Sequence, residues 1–270
     1  MELIALMAAP FAASVVLVLI HAYLGGHVLR RGVIFVDLAM AQFAAMGAAM
    51  GLLFGFELES VPAYFLGLAS ALSAAGLFAA ARRRIHSVPQ EAIIGIAYVA
   101  ASAAAILIAD RAPHGGEHIK QILVGSILWV SWTEVLKTAL IYGALGILLG
   151  VVHQRLSLVS ENPTLAAEKG QNIFAWDFLF YSVFAFVVTS SVRIAGVLLV
   201  FSILIVPAVF AALSGVRKSL RLPVAWGFGI VMSLIGMLAS YFLDLPTGAA
   251  VVVVFAIGLV PLTIRRRAKG

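Results

Sequence analysis

The feature that most constrains this chain is a succession of apolar runs, each close to twenty residues long, separated by short polar or basic segments. About 20 apolar residues in a helix cross about 30 Å of hydrocarbon. Runs of that length lie near 4–24, 33–55, 61–81, 90–110, 131–152, 174–192, 194–214, 223–243 and 247–264. They predict an all-α polytopic membrane protein of about nine helices, with residues 1–270 as a single transmembrane domain. Strands are excluded, because open backbone finds no partner in lipid and the runs are too long for barrel strands. Composition agrees: 63% of the residues are hydrophobic and 11% charged, against about 25% charged in soluble domains. With no cysteine, there is neither a disulfide framework nor a thiolate metal site. The opening Met1-Glu2-Leu3 lacks a basic segment, so the first run is expected to stay as a helix rather than be cleaved.

The net charge of +6 does not indicate nucleic acid, because the cations cluster between apolar runs. Arg30-Arg31, Arg82-Arg83-Arg84, Arg217-Lys218 with Arg221, and Arg265-Arg266-Arg267 with Lys269 all fall on one side if nine spans alternate. Basic loops stay cytoplasmic. The N-terminus is therefore expected outside and the C-terminus in the cytoplasm.

Two connecting segments carry further signals. The outward loop 111–130 contains His114-Gly115-Gly116-Glu117-His118. Two imidazoles and a carboxylate in five residues suit a borderline cation such as Zn²⁺; a solvated Gly-rich turn is the plainer reading. The cytoplasmic segment 153–173 contains a short helix signal, with Asn162 as cap, Pro163 at the first helical position, a body over 165–169 and Gly170 as the stop. So short a helix is marginal alone and needs a surface to dock on.

No Gly-x-x-x-x-Gly-Lys-[Ser/Thr] loop is present, so this chain has no means of hydrolysing ATP itself. No Ser/His/Asp set, zinc-protease motif or dinucleotide fingerprint appears either, and the chain is read as a transport subunit, not an enzyme.

Four segments resemble the permease subunits of the ABC-type zinc/manganese/iron importers. They are 31–42 with Gly47, Gln90-Glu91-Ala92-Ile93-Ile94-Gly95-Ile96, Glu161-Asn162-Pro163-Thr164-Leu165-Ala166 followed by Gly170, and the late pieces 196–200, 205–208 and 244–248. The resemblance implies a permease subunit in the inner membrane that binds no cofactor and passes a divalent metal ion, zinc or manganese, to the cytoplasm by alternating access. It also implies a second permease chain, cytoplasmic ATP-binding subunits that receive the 161–170 helix, and an extracytoplasmic metal-binding protein.

One departure touches the site. Where the family places an Asp and a His four apart on the second helix, this chain has Leu38 and Gln42, with the acid one residue early at Asp37. Five residues put Asp37 and Gln42 about 140° apart around a helix. A carboxamide is also a poorer zinc ligand than imidazole. Asp37 is the one acid that lies even partly deep in a run. It is a pathway carboxylate, or is paired with Arg30 or Arg31, or caps a neighbouring helix. Gln42 lines the path or bonds another helix. Glu91 either serves the dipole of its own first helical turn or lies at the cytoplasmic exit. Pro207 predicts a static kink or a hinge. The other functional readings are a permease for a metal chelate, whose path would be wide and poor in ligands, and an ion-coupled secondary transporter, which would need charged pairs deep in several spans.

Overall fold

The computed structural model describes residues 2–57, 60–84, 87–111 and 127–267, and among these there is no strand. The helices are α1 (Glu2–Arg31), α2 (Val36–Leu53), α3 (Val61–Arg84), α4 (Gln90–Ala109), α5 (Trp132–Glu161), the short α6 (Pro163–Glu168), α7 (Ile173–Leu213), α8 (Arg221–Leu243) and α9 (Thr247–Arg267). Single 3₁₀ turns stand at Ile127–Trp129 and Lys218–Leu220. Among the described residues, seven helices are long and apolar enough to cross a membrane, and Thr247–Leu262 forms a shorter apolar helix.

The long α7 holds two helical segments that meet at a kink. Gly196 sits at φ 76°, ψ 161°, outside helical space. Only glycine occupies that region readily, because it has no Cβ. Helix geometry continues through Pro207, and the break at Gly196 falls beside the boundary expected between the runs 174–192 and 194–214. Neighbouring packing and the loss of one bond can be absorbed at an intramembrane proline, whereas a residue at positive φ interrupts the helix outright.

Two compact units can be distinguished. One gathers the described parts of Met1–Leu29, Val124–Gly146 and Ile194–Gly270; the other gathers Arg30–Leu123 and Ile147–Arg193. In the first, Phe228 stacks on Phe210 at 3.9 Å between ring centroids and meets Phe255 edge-on at 6.0 Å. Trp226 Nε1 donates to the Leu19 carbonyl at 2.9 Å, which ties α8 to α1.

The second unit is organised by α2, which packs on both α3 and α4. Small residues allow this. A Cβ placed on Gly47 would lie 2.4 Å from the Leu66 carbonyl oxygen, and one on Gly67 would lie 2.8 Å from that of Ala44. Gly51 faces Ala63 less tightly, where an added Cβ would lie 3.2 Å from the Ala63 Cβ. In lipid there is little hydrophobic drive between helices, so close backbone approach at small residues supplies the contact energy. Gly47→Val is therefore expected to force α2 off α3 and cost about 1–3 kcal/mol, the usual range for overpacking. A lowered melting temperature in detergent, with Gly95→Ala unaffected, is the check; the space around Gly95 is open.

The outer surfaces remain apolar. Leu140, Ile147 and Val151 on α5 and Ile96, Val99 and Leu107 on α4 are exposed. Water would not tolerate such a surface over whole helices, and a bilayer does.

Candidate functional site

The first turn of α2 has no side-chain cap of its own: Phe35 stands at the N-cap and offers no hydrogen bond. Its backbone N–H instead donates to Glu91 Oε1 at 3.0 Å. Glu91 thus opens α4 and, from there, satisfies an orphan amide at the start of α2. The helix it caps is not its own.

In the same turn, Asp37 is buried, with 1% of its surface exposed. Neither carboxylate oxygen has a hydrogen-bond partner among the described residues. The pairing with Arg30 or Arg31 does not occur, because both arginines are engaged elsewhere. Gln42 is half-buried on the same helix. Since α2 runs unbroken from Val36 to Leu53, the spacing of about 140° at about 3.6 residues per turn stands. No group of three or more His, Asp or Glu among the described residues could hold a metal ion. His114 and His118 lie outside the described residues.

The helix signal after α5 is realised. Asn162 Oδ1 accepts from the Leu165 N–H at 3.0 Å, with Pro163 in the first turn. At the other end Gly170 takes φ 75°. Its N–H donates to Ala167 and that of Gln171 to Ala166, at 2.9 and 3.0 Å. These two bonds are the Schellman pattern, which closes a helix through a left-handed residue. So α6 is finished at both ends by one side chain and two backbone hydrogen bonds of its own segment. Ala166 is buried, while Glu161, Asn162, Thr164, Leu165, Ala167 and Glu168 are exposed.

A charge cluster that the sequence reading missed lies on both flanks of α6. Asp177, one turn into α7, accepts on Oδ1 from Arg31 Nη1 and, at 2.7 Å, from Arg82 Nη1. The side chains of Asp177 and Arg31 are wholly buried. Arg31 Nε also donates to Ser160 Oγ at 3.0 Å, and Arg82 Nη2 to the Val159 carbonyl at 3.3 Å. Arg30 pairs with Glu161 at 3.3 Å nearer the surface. The Phe180 ring lies 4.2 Å beneath the Arg31 guanidinium, and Gln90 bridges the Phe78 carbonyl and the Tyr181 hydroxyl. Asp37 is thus not the one deep acid. The signal for Asp177 was available: an acid between Trp176 and Phe178 at the head of an apolar run needs a counter-charge.

Residues 4–265 match the ABC 3 transport family. The chain belongs to that family. As an ABC 3 family member it is a multi-pass membrane permease, in accord with its apolar helices. It is 25% identical over 244 residues to the manganese transport system membrane protein MntC of Listeria innocua, covering 90% of this chain and 85% of that protein. It is 23% identical over 240 residues to the chelated iron transport system membrane protein YfeC of Yersinia pestis, covering 89% and 79%. Among solved structures, PsaBC from Streptococcus pneumoniae in complex with Fab superposes with a TM-score of 0.78 at 20% identity, over 97% of this chain and 94% of that one. At that identity the likeness is one of fold.

Proposed function

We propose that this ABC 3 family permease is the membrane subunit of an ATP-driven importer that moves a divalent metal ion to the cytoplasm by alternating access. The observation that carries the reading is α6, a short helix capped at both ends and exposed on most of its surface. A helix of 6 residues has little stability of its own, and one kept preformed in a loop suits a partner's groove. The partner is a separate cytoplasmic ATP-binding subunit, since the chain lacks a phosphate loop. An extracytoplasmic metal-binding protein and a second copy of the permease complete the assembly.

For topology we favour nine passes. At about 1.5 Å per residue, the 41 residues of α7 are about twice as long as the about 30 Å of hydrocarbon, which supports two passes separated at Gly196. The apolar helix Thr247–Leu262 would make another. The basic ends of α1 and α3 then share the cytoplasmic side with α6, the N-terminus faces out and the C-terminus faces in.

Manganese is the first candidate ion. Relatives carry manganese and iron in their names. The side chains that α2 offers, a carboxylate at Asp37 and a carboxamide at Gln42, are oxygen donors, which suit Mn²⁺ better than Zn²⁺. Glu91 stands at the cytoplasmic end of this path, and His114 and His118 would receive the ion from the binding protein. A metal chelate is the second reading, favoured by the relative named for chelated iron transport.

The test is reconstitution of the permease with its ATP-binding subunit and binding protein in liposomes. Manganese accumulation that requires ATP and both partners is the expected result. Accumulation by the permease alone, or tags at the two termini reporting from the same side, would overturn it. Import of a metal chelate and not of free Mn²⁺ would select the second reading.

A further inference from the structure

The two segments that lead into and out of α6 are bound by the same pair of arginines. Arg31, the last residue of α1, donates to Ser160 at the end of α5 and to Asp177 near the start of α7. Arg82, in the last turn of α3, donates to the Val159 carbonyl and to Asp177. Each arginine therefore bridges both flanks of the short helix, and Arg30 adds a pair with Glu161 immediately before it.

Stability alone does not account for such an arrangement. Burying ions is expensive, and a buried ion cluster commonly adds nothing over well-packed apolar residues of the same volume. Two cations share one anion, with the Phe180 ring set against Arg31. The cluster is also incompletely bonded. Arg31 Nη2 and Asp177 Oδ2 have no hydrogen-bond partner among the described residues. A spare donor and a spare acceptor on an already paired guanidinium and carboxylate leave room for a second, two-pronged arrangement of the same groups. A joint that must hold while its members shift requires that kind of alternative.

We propose that the Arg31–Asp177–Arg82 cluster is the transmission joint of this permease: it fastens both flanks of α6 to the ends of α1 and α3, so that displacement of α6 displaces those helices. The proposal rests on the reading of α6 as the segment that engages the ATP-binding subunit. In it, Arg31, Arg82 and Asp177 are positioning residues and none touches the transported ion.

The experiment uses the complete complex in liposomes and reads manganese imported per ATP hydrolysed. Asp177→Asn removes the anion while keeping the side chain's shape. It is expected to leave ATP hydrolysis by the assembled complex within about twofold, and to lower the ions carried per ATP about tenfold, the scale of a typical coupling between sites. Asp177→Glu should restore much of the ratio. Arg82→Gln, whose side chain is partly exposed at 16%, gives the same readout if Asp177→Asn fails to assemble. A wild-type ratio in the variants overturns the joint. So does a parallel fall of hydrolysis and import in step with the amount of folded complex, since a purely structural role would produce that. If instead the wild-type complex imports without ATP, the reading of α6 itself has failed, and the two failures are told apart.

Discussion

Gly196→Val is expected to leave little folded permease, although the substitution adds only three carbons. Gly196 holds φ 76° and ψ 161°, a region that is almost closed to any residue with a Cβ and most closed to a β-branched one. Holding a side chain there costs about 1–3 kcal/mol of backbone strain. The alternative is to let Gly196 become helical, which would join residues 173–195 and 197–213 into one straight rod. Either outcome should appear as a large loss of monodisperse protein after detergent extraction. Gly146→Ala is the control. Gly146 lies inside α5 with open space around it, and alanine there gains up to about 1 kcal/mol of helix propensity. Equal yields of the two variants would mean that the break at Gly196 is not required.

Asp37→Asn is expected to act in the opposite sense on stability and to abolish uptake. The carboxylate is buried and neither oxygen is bonded among the described residues. An acid at the centre of a span costs about 2.5–3.5 kcal/mol on insertion scales, and less toward a helix end. Asp37 stands in the first turn of α2, so its cost lies below that range. Replacing it by the neutral amide should hold or raise the melting temperature in detergent. Manganese uptake by the reconstituted complex should nevertheless fall to background, because the negative charge that the proposed path offers the cation is gone. A loss of uptake with unchanged or improved stability separates the functional role from misfolding. Full uptake by Asp37→Asn would remove this residue from the mechanism.

The two variants mark the border of what is legible in the sequence. Apolar run length alone points to an all-helical membrane chain, because a lipid environment leaves the backbone no other way to satisfy itself. The ends of α6 are legible for a local reason: Asn162, Pro163 and Gly170 act within one turn of themselves. Asp37 is conspicuous because an acid in an apolar run stands out. The partner of Glu91, by contrast, is a backbone amide of a different helix, and no spacing rule points to it. The charge cluster is harder still. Arg31 and Arg82 read as topology signals in basic clusters, and their contact with Asp177 joins positions separated by 146 and 95 residues. The break in α7 at Gly196 lies close to the boundary expected between the runs 174–192 and 194–214, whereas Pro207, the usual helix breaker, keeps helical geometry eleven residues later. A proline announces itself in sequence; a glycine at positive φ looks like any other small residue in a crowded span.

Where α2 crosses α3, Gly47 and Gly67 set main chain against main chain. Contacts between long side chains can yield by changing rotamer. A carbonyl oxygen lodged against a Cα has no such freedom, and sliding by one position would bring Met46 or Ala48 onto Leu66. The two helices are in effect one stiff plank, and whatever bending the permease undergoes in its cycle has to be taken up at other hinges.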